Sequence, residues 1–148
     1  MSSNRNINDR VSVTLPPDYH PIGDEPFMNL RQLEYFRWKL ITWRKELLAD
    51  TSQTLRHLKQ HTAHEPDVAD RASVEAGRSL ELRTRDRERK LVNKIDTALK
   101  RIEDGTYGYC EETGEPISLR RLEARPIATL GIDAQERHER REKVYRDD

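Results

Sequence analysis

The chain has 148 residues, of which 36% are charged and only 34% hydrophobic, and its 27 basic side chains balance its 27 acidic ones. That composition excludes a large compact core and suits an extended, solvated helical architecture, while zero net charge leaves no global field to draw the chain onto DNA, RNA or anionic lipid. A single cysteine excludes an intramolecular disulfide framework, and no window approaches the roughly 20 apolar residues of a membrane span, so a cytoplasmic protein is expected.

Residues 1–28 form an arm that carries four of the seven prolines and small apolar clusters at Val11, Val13 and Leu15 and at Ile22 and Phe27. It is expected to be irregular and to pack on the rest of the chain. From Asn29 to about Ala63 there is neither glycine nor proline, and Leu33, Phe36, Leu40, Trp43 and Leu47 recur at the alternating three and four spacing of a coiled-coil seam. The stretch "HTAHEPDVAD" breaks this helix, because Pro66 disfavours helix at Glu65 and suits the first turn of the next. A second helix is predicted from Asp67 to Glu103, with Leu91, Ile95, Ala98 or Leu99, and Ile102 on its apolar side and Gly105 as its stop.

Two such helices joined by a short loop fold back into an antiparallel hairpin over 29–104, a rod on the order of 50 Å long with its tip near 64–72. A register in which paired residue numbers sum to about 131 sets Leu40 opposite Leu91, Phe36 opposite Ile95 and Thr51 opposite Leu80. It predicts a well-packed base and a weakly stable tip half. Residues 105–148 begin with Tyr107, Tyr109 and Cys110 and end in a charged terminal helix with Asp133 as candidate N-cap. So small a region must borrow packing from the arm and the hairpin base.

"GYCEETGEPI" has the outline of a zinc knuckle. Laid from Cys110, the ribbon template C-x2-C-x(15–20)-C-x2-C falls on Cys110, Thr113, Gly131 and Ala134, with seventeen residues between the inner two. Three of the four are not zinc ligands, and His138 is the one histidine near in sequence, so no metal is expected. Cys110 reads as a small buried or half-buried hydrophobe. The hairpin is polarised: His64 to Glu75 carries Glu65, Asp67, Asp70 and Glu75 against Arg71, whereas Ala76 to Arg101 carries nine cations against four carboxylates. An acidic point on a basic shaft suits a charged protein partner, and a solvated helix face laced with i,i+4 pairs would read the same way. No nucleophile, base and acid constellation and no phosphate-cradling glycine loop is present, so an enzyme is not expected.

Taken together, "EPDVADRAS", "LELRTRDRERKLVNKID", "DGTYGYCEETGEPI" and "LRRLEARPIATLGIDAQ" are similar to the DksA/TraR family of bacterial transcription factors, from residue 28 to about 143. The resemblance implies a mainly α protein: a long antiparallel coiled-coil hairpin, a small zinc-ribbon-like globular domain, here metal-free, and a C-terminal helix. It implies a monomer that binds bacterial RNA polymerase, not DNA, and passes the hairpin tip through the secondary channel. With guanosine tetraphosphate it would repress ribosomal RNA promoters and activate amino-acid biosynthesis promoters. By the same resemblance Asp70, Arg71 and Ala72 form the active tip, Arg87 and Arg121 contact polymerase, and Leu91, Lys94 and Arg125 contribute to an alarmone site completed by polymerase. The family's further lysine falls on Gln135, a lost charge that predicts a weaker alarmone response unless Arg137 or Arg140 substitutes. A transcript-cleavage factor of the same architecture and a plain coiled-coil scaffold are the alternatives.

Overall fold

The computed structural model describes residues 14–61 and 68–147. Its elements are four helices, α1 (Leu30–His61), α2 (Val68–Asp104), α3 (Leu119–Ala124) and α4 (Ile132–Asp147). The fold is mainly α, with a long hairpin, a small globular end and a terminal helix. Among the described residues no helix is long and apolar enough to cross a membrane.

Local chemistry sets the ends of the helices. Asn29 caps α1, its side-chain oxygen accepting from the backbone N–H of Gln32 at 2.9 Å. The Gln32 side chain is fully buried; it accepts from the backbone N–H of Met28 and donates to the Ile22 carbonyl, tying the arm to the first turn. At the far end of α2 Gly105 takes φ 79°, and the N–H groups of Gly105 and Thr106 bond the carbonyls of Ile102 and Arg101. That is a Schellman stop, and it requires a residue tolerant of the left-handed region. The helix α4 begins at Ile132, so Asp133 lies in its first turn and is not the cap; its carboxylate still complements the helix dipole there.

The seam residues expected from the spacing are the ones that pack. Phe36, Leu40, Leu47, Ile95 and Ala98 are buried, and Leu33, Trp43, Leu91, Val92, Leu99 and Ile102 lie half-buried against them. The register differs from the expected one. The Thr51 hydroxyl donates to the Glu88 carboxylate at 2.8 Å and Arg44 Nε donates to Asp96 at 2.8 Å, so paired numbers sum to about 140 and Thr51 does not face Leu80. The expected register, with sums of about 131, centred the pairs between residues 65 and 66. The observed pairs are centred about residue 70. Beyond Glu88 the packing thins: residues 71–80 are all exposed, and Leu80 is 64% exposed.

The globular end is built on the hairpin base. Tyr107, Cys110, Ile117, Leu122, Ile127, Ala128 and Ala134 share one buried cluster with Phe36 and Leu40. Tyr109 and Pro116 form a single antiparallel bridge, supported by bonds from the N–H of Cys110 to the Glu115 carbonyl and from the N–H of Ile117 to the Gly108 carbonyl. In the arm Leu15, Tyr19, Phe27 and Met28 cover this cluster, with Phe27 edge-on to Tyr109 at 5.4 Å and Tyr19 edge-on to Tyr35 at 6.0 Å. Tyr35 and Lys39 both donate to the Glu123 carboxylate, which pins α1 to α3.

Candidate functional site

The hairpin base carries a cavity of about 260 Å³ where three elements meet. From α2 come Asn93, Lys94 and Thr97, on neighbouring positions of one face; α3 and its C-cap supply Arg121 and Arg125; and α4 supplies Gln135. Ile127 and Ala128 floor it, both in the buried core. Arg121 lies on a short helix that Ser118 caps by accepting from its N–H, and Arg125, the C-cap, donates its own N–H to the Arg121 carbonyl; both line the cavity. Arg121 Nε donates to the Leu130 carbonyl at 3.0 Å, which fixes the guanidinium at the wall.

None of the lining side chains is acidic and three are cationic. The site therefore favours a polyanion, for which forked guanidinium donors and a lysine point charge are the natural partners. Of the residues singled out in the sequence, Lys94, Arg121, Arg125 and Gln135 come together here. Leu91 does not line the cavity; it packs, half-buried, on the core one turn away. Arg87 is exposed on α2, two turns nearer the tip than Lys94. Asn93, Thr97 and Thr129 line the cavity without having been singled out, although the positions of Asn93 and Thr97 beside Lys94 on a helix offered the signal.

Arg71 and Ala72 are exposed in the first turns of α2, at the opposite end from the cavity. Asp70 lies in the first turn of α2, and its side chain is outside the described residues, as are residues 62–67 of the tip. Along α2 the backbone of Asp70 stands about 36 Å from that of Lys94, from the helical rise alone.

The four ribbon-template positions also come together. Cys110, Thr113, Gly131 and Ala134 line one cleft of about 540 Å³, alongside Glu115, Asp133 and the guanidiniums of Arg121 and Arg137. This donor set does not fit zinc. It offers one sulfur, a hydroxyl, a glycine and a buried methyl at the four positions where ligands are needed, and Arg121 and Arg137 also line the cleft. Among the described residues no three His, Cys, Asp or Glu side chains cluster closely enough to hold a metal. The Cys110 thiol is only 4% exposed. Burial alone would raise its pKa, but hydrogen bonds from the Thr113 side chain and from the backbone of Gly131, Thr113 and Glu112 outweigh burial and bring it down to about 7. The sequence, which suggested a plain small hydrophobe, gave no sign of this.

Next to the cleft, Glu112 accepts from His138 Nε2 and lies 3.6 Å from Arg137, joining the knuckle turn to α4. The His138 hydrogen bond, with the nearby arginine charges, holds the Glu112 carboxyl below the usual carboxylate range.

Comparison with known proteins bears on this architecture directly. Residues 32–102 match the model of the N-terminal domain of the DnaK suppressor protein DksA, and residues 105–140 that of the prokaryotic dksA/traR C4-type zinc finger. Over 131 residues the chain is 65% identical to the RNA polymerase-binding transcription factor DksA of Caulobacter vibrioides (strain NA1000 / CB15N), covering 88% of this chain and 92% of that one. The chain belongs to the DksA family. It is 50% identical over 125 residues to DksA of Escherichia coli (strain K12), covering 84% of this chain and 83% of the relative. Among solved structures it resembles the transcription factor DksA2 of Pseudomonas aeruginosa, with a TM-score of 0.74 and 46% identity over 81% of this chain and 95% of that one. The family model over 105–140 is named for four cysteines, of which this chain keeps Cys110 alone.

Proposed function

We propose that this protein is a transcription regulator that binds bacterial RNA polymerase directly and is not an enzyme. The hairpin enters the secondary channel with Asp70, Arg71 and Ala72 at its point, and Arg87 and Arg121 meet polymerase nearer the base. There it alters the stability of open promoter complexes, lowering output from ribosomal RNA promoters and raising it at amino-acid biosynthesis promoters. The observation that carries this reading is the acid-free cation cavity of Lys94, Arg121 and Arg125, fixed at one end of a helix whose other end is the tip.

The ligand of that cavity is guanosine tetraphosphate, whose phosphates suit three cations. At about 260 Å³ the cavity falls below the roughly 300–1,000 Å³ of pockets that enclose a ligand by themselves. It is half a site, and polymerase completes it. Gln135 stands at its rim where another cation would strengthen binding, so the alarmone response is weaker than that of relatives with lysine there. The ribbon works without zinc, and the protein acts as a cytoplasmic monomer, its apolar seam spent on its own hairpin.

The test is in vitro transcription from a ribosomal RNA promoter with chelator-treated protein, comparing wild type with Asp70→Asn, with and without guanosine tetraphosphate. Wild type should inhibit, the alarmone should deepen the inhibition, and Asp70→Asn should bind polymerase without inhibiting. Loss of wild-type activity on chelation would refute the metal-free reading. If neither protein binds polymerase or affects transcription, the proposal as a whole is refuted and the coiled-coil scaffold takes its place.

A further inference from the structure

A ribbon held by a metal has its two knuckles tied by one ion that takes ligands from both. If this chain works without that ion, something else must tie residues 110–114 to the segment that begins at Gly131. A backbone bond joins the two segments below: the N–H of Glu111 donates to the Thr129 carbonyl at 2.9 Å. It does not reach α4. That helix has 16 residues, of which Ala134 is the buried one, and its positions from Glu139 to Tyr145 are exposed. Besides the Ala134 methyl, a hydrogen bond from the Gly131 backbone to the Cys110 sulfur ties only the start of the segment, so the turns of α4 beyond it are free to swing.

The contact that limits the swing comes from the knuckle turn. The N–H of Gly114 closes that turn on the Cys110 carbonyl at 2.9 Å, and Glu112 projects from it to accept from His138 Nε2 and to pair with Arg137 at 3.6 Å. One carboxylate thus grips two consecutive residues of α4, one turn beyond Ala134. We propose that Glu112, through His138 and Arg137, is the clasp that orients the C-terminal helix on the ribbon in the place where relatives use a metal. Glu112 is a positioning residue, and what it positions is the cation cavity: Gln135, at the cavity rim, lies on α4 between Ala134 and the clasped pair. The inference rests on the metal-free reading of the ribbon.

The three side chains are 35–50% exposed, so the clasp orients more than it stabilises. Replacing Glu112 should move α4 and leave the ribbon core folded. The experiment is ¹⁵N relaxation and residual dipolar couplings on the full chain, for wild type, Glu112→Gln, Glu112→Lys and the swap Glu112→Lys with His138→Glu, with zinc content measured on each sample. We expect less than one-tenth of an equivalent of zinc. The amides of residues 136–145 should match α2 in order in wild type, lose order in both single variants and regain it in the swap. Signals of Tyr107, Ile117 and Leu122 should stay in place throughout. Stoichiometric zinc would overturn both this proposal and the metal-free reading. A zinc-free protein whose α4 keeps its order and orientation in Glu112→Gln and Glu112→Lys would overturn the clasp alone.

Discussion

Replacing Tyr107 by phenylalanine tests how the ribbon holds the cavity. The Tyr107 ring is 1% exposed, and its hydroxyl donates to the Pro126 carbonyl at 2.7 Å. Burial, more than the Glu123 charge and against the Arg101 charge, pushes the phenol above its ordinary range, so it remains a donor at any working pH. Phenylalanine keeps the ring and creates almost no cavity; what it removes is the donor. Pro126 is itself buried, so its carbonyl is left without that partner, at a cost of about 1–3 kcal/mol. For a chain of this length about 2 kcal/mol lowers the melting temperature by roughly 4–8 °C. Urea unfolding followed by far-UV circular dichroism and by tryptophan fluorescence would measure it, as a lower midpoint at unchanged slope. Because Pro126 directly follows Arg125, the alarmone-dependent part of inhibition should also weaken while the remainder persists. A stability change below about 0.5 kcal/mol would refute the reasoning, since it would mean the carbonyl finds another donor at no cost.

Gly108→Ala should cost more than an ordinary glycine substitution, about 2–4 kcal/mol. Its φ of 89° strains any L side chain, and a Cβ there would stand 2.8 Å from the Met28 side chain that seats the arm, so loosened arm signals should accompany the loss. The Glu123 carboxyl is pushed up by burial, but hydrogen bonds from Tyr35 and Lys39 and the Lys39 charge more than reverse this, leaving it below the usual range. A depressed carboxylate contributes stability that is present above its unfolded pKa and is lost as pH falls through the folded one. The stability difference between wild type and Glu123→Gln, about 1 kcal/mol or less at neutral pH, should therefore shrink as pH drops from about 5 to about 3. A difference that grew on acidification would contradict the assignment. Lys94→Ala and Arg125→Ala should each raise the guanosine tetraphosphate concentration needed for half-maximal effect by roughly 10-fold or more, leaving alarmone-free inhibition intact. Equal loss with and without the alarmone would point to polymerase contact instead.

The hairpin was legible because burial in it is periodic: Leu33, Phe36, Leu40, Trp43 and Leu47 face Leu91, Ile95 and Ala98 across one seam. The register was not, because the contacts that reveal it are polar. Thr51 with Glu88 and Arg44 with Asp96 look in the sequence like ordinary solvent-facing residues, and apolar residues recur along both helices often enough that a shift of about nine residues still brings apolar side to apolar side. The cavity was legible only in part, and for another reason. Lys94, Arg121 and Arg125 all came from family likeness, Arg121 as a polymerase contact; it joins the other two through α3, a six-residue helix too short to announce itself by periodicity.

The ribbon keeps a packed cluster although three of the four template positions are not cysteine. Alone, a segment of about 40 residues buries too little apolar surface to fold without a metal or disulfides. Here Tyr107, Ile117 and Leu122 are buried in one cluster with Phe36 and Leu40 of α1, under a lid made by Phe27 and Met28 of the arm. The ribbon's core is thus shared with the hairpin and the arm. Three missing cysteines then remove a local tie without emptying the cluster. On the reading proposed above, what remains exposed to that loss is the orientation of α4, which enters the shared core through Ala134 and is held beyond it by the Glu112 carboxylate of the knuckle turn.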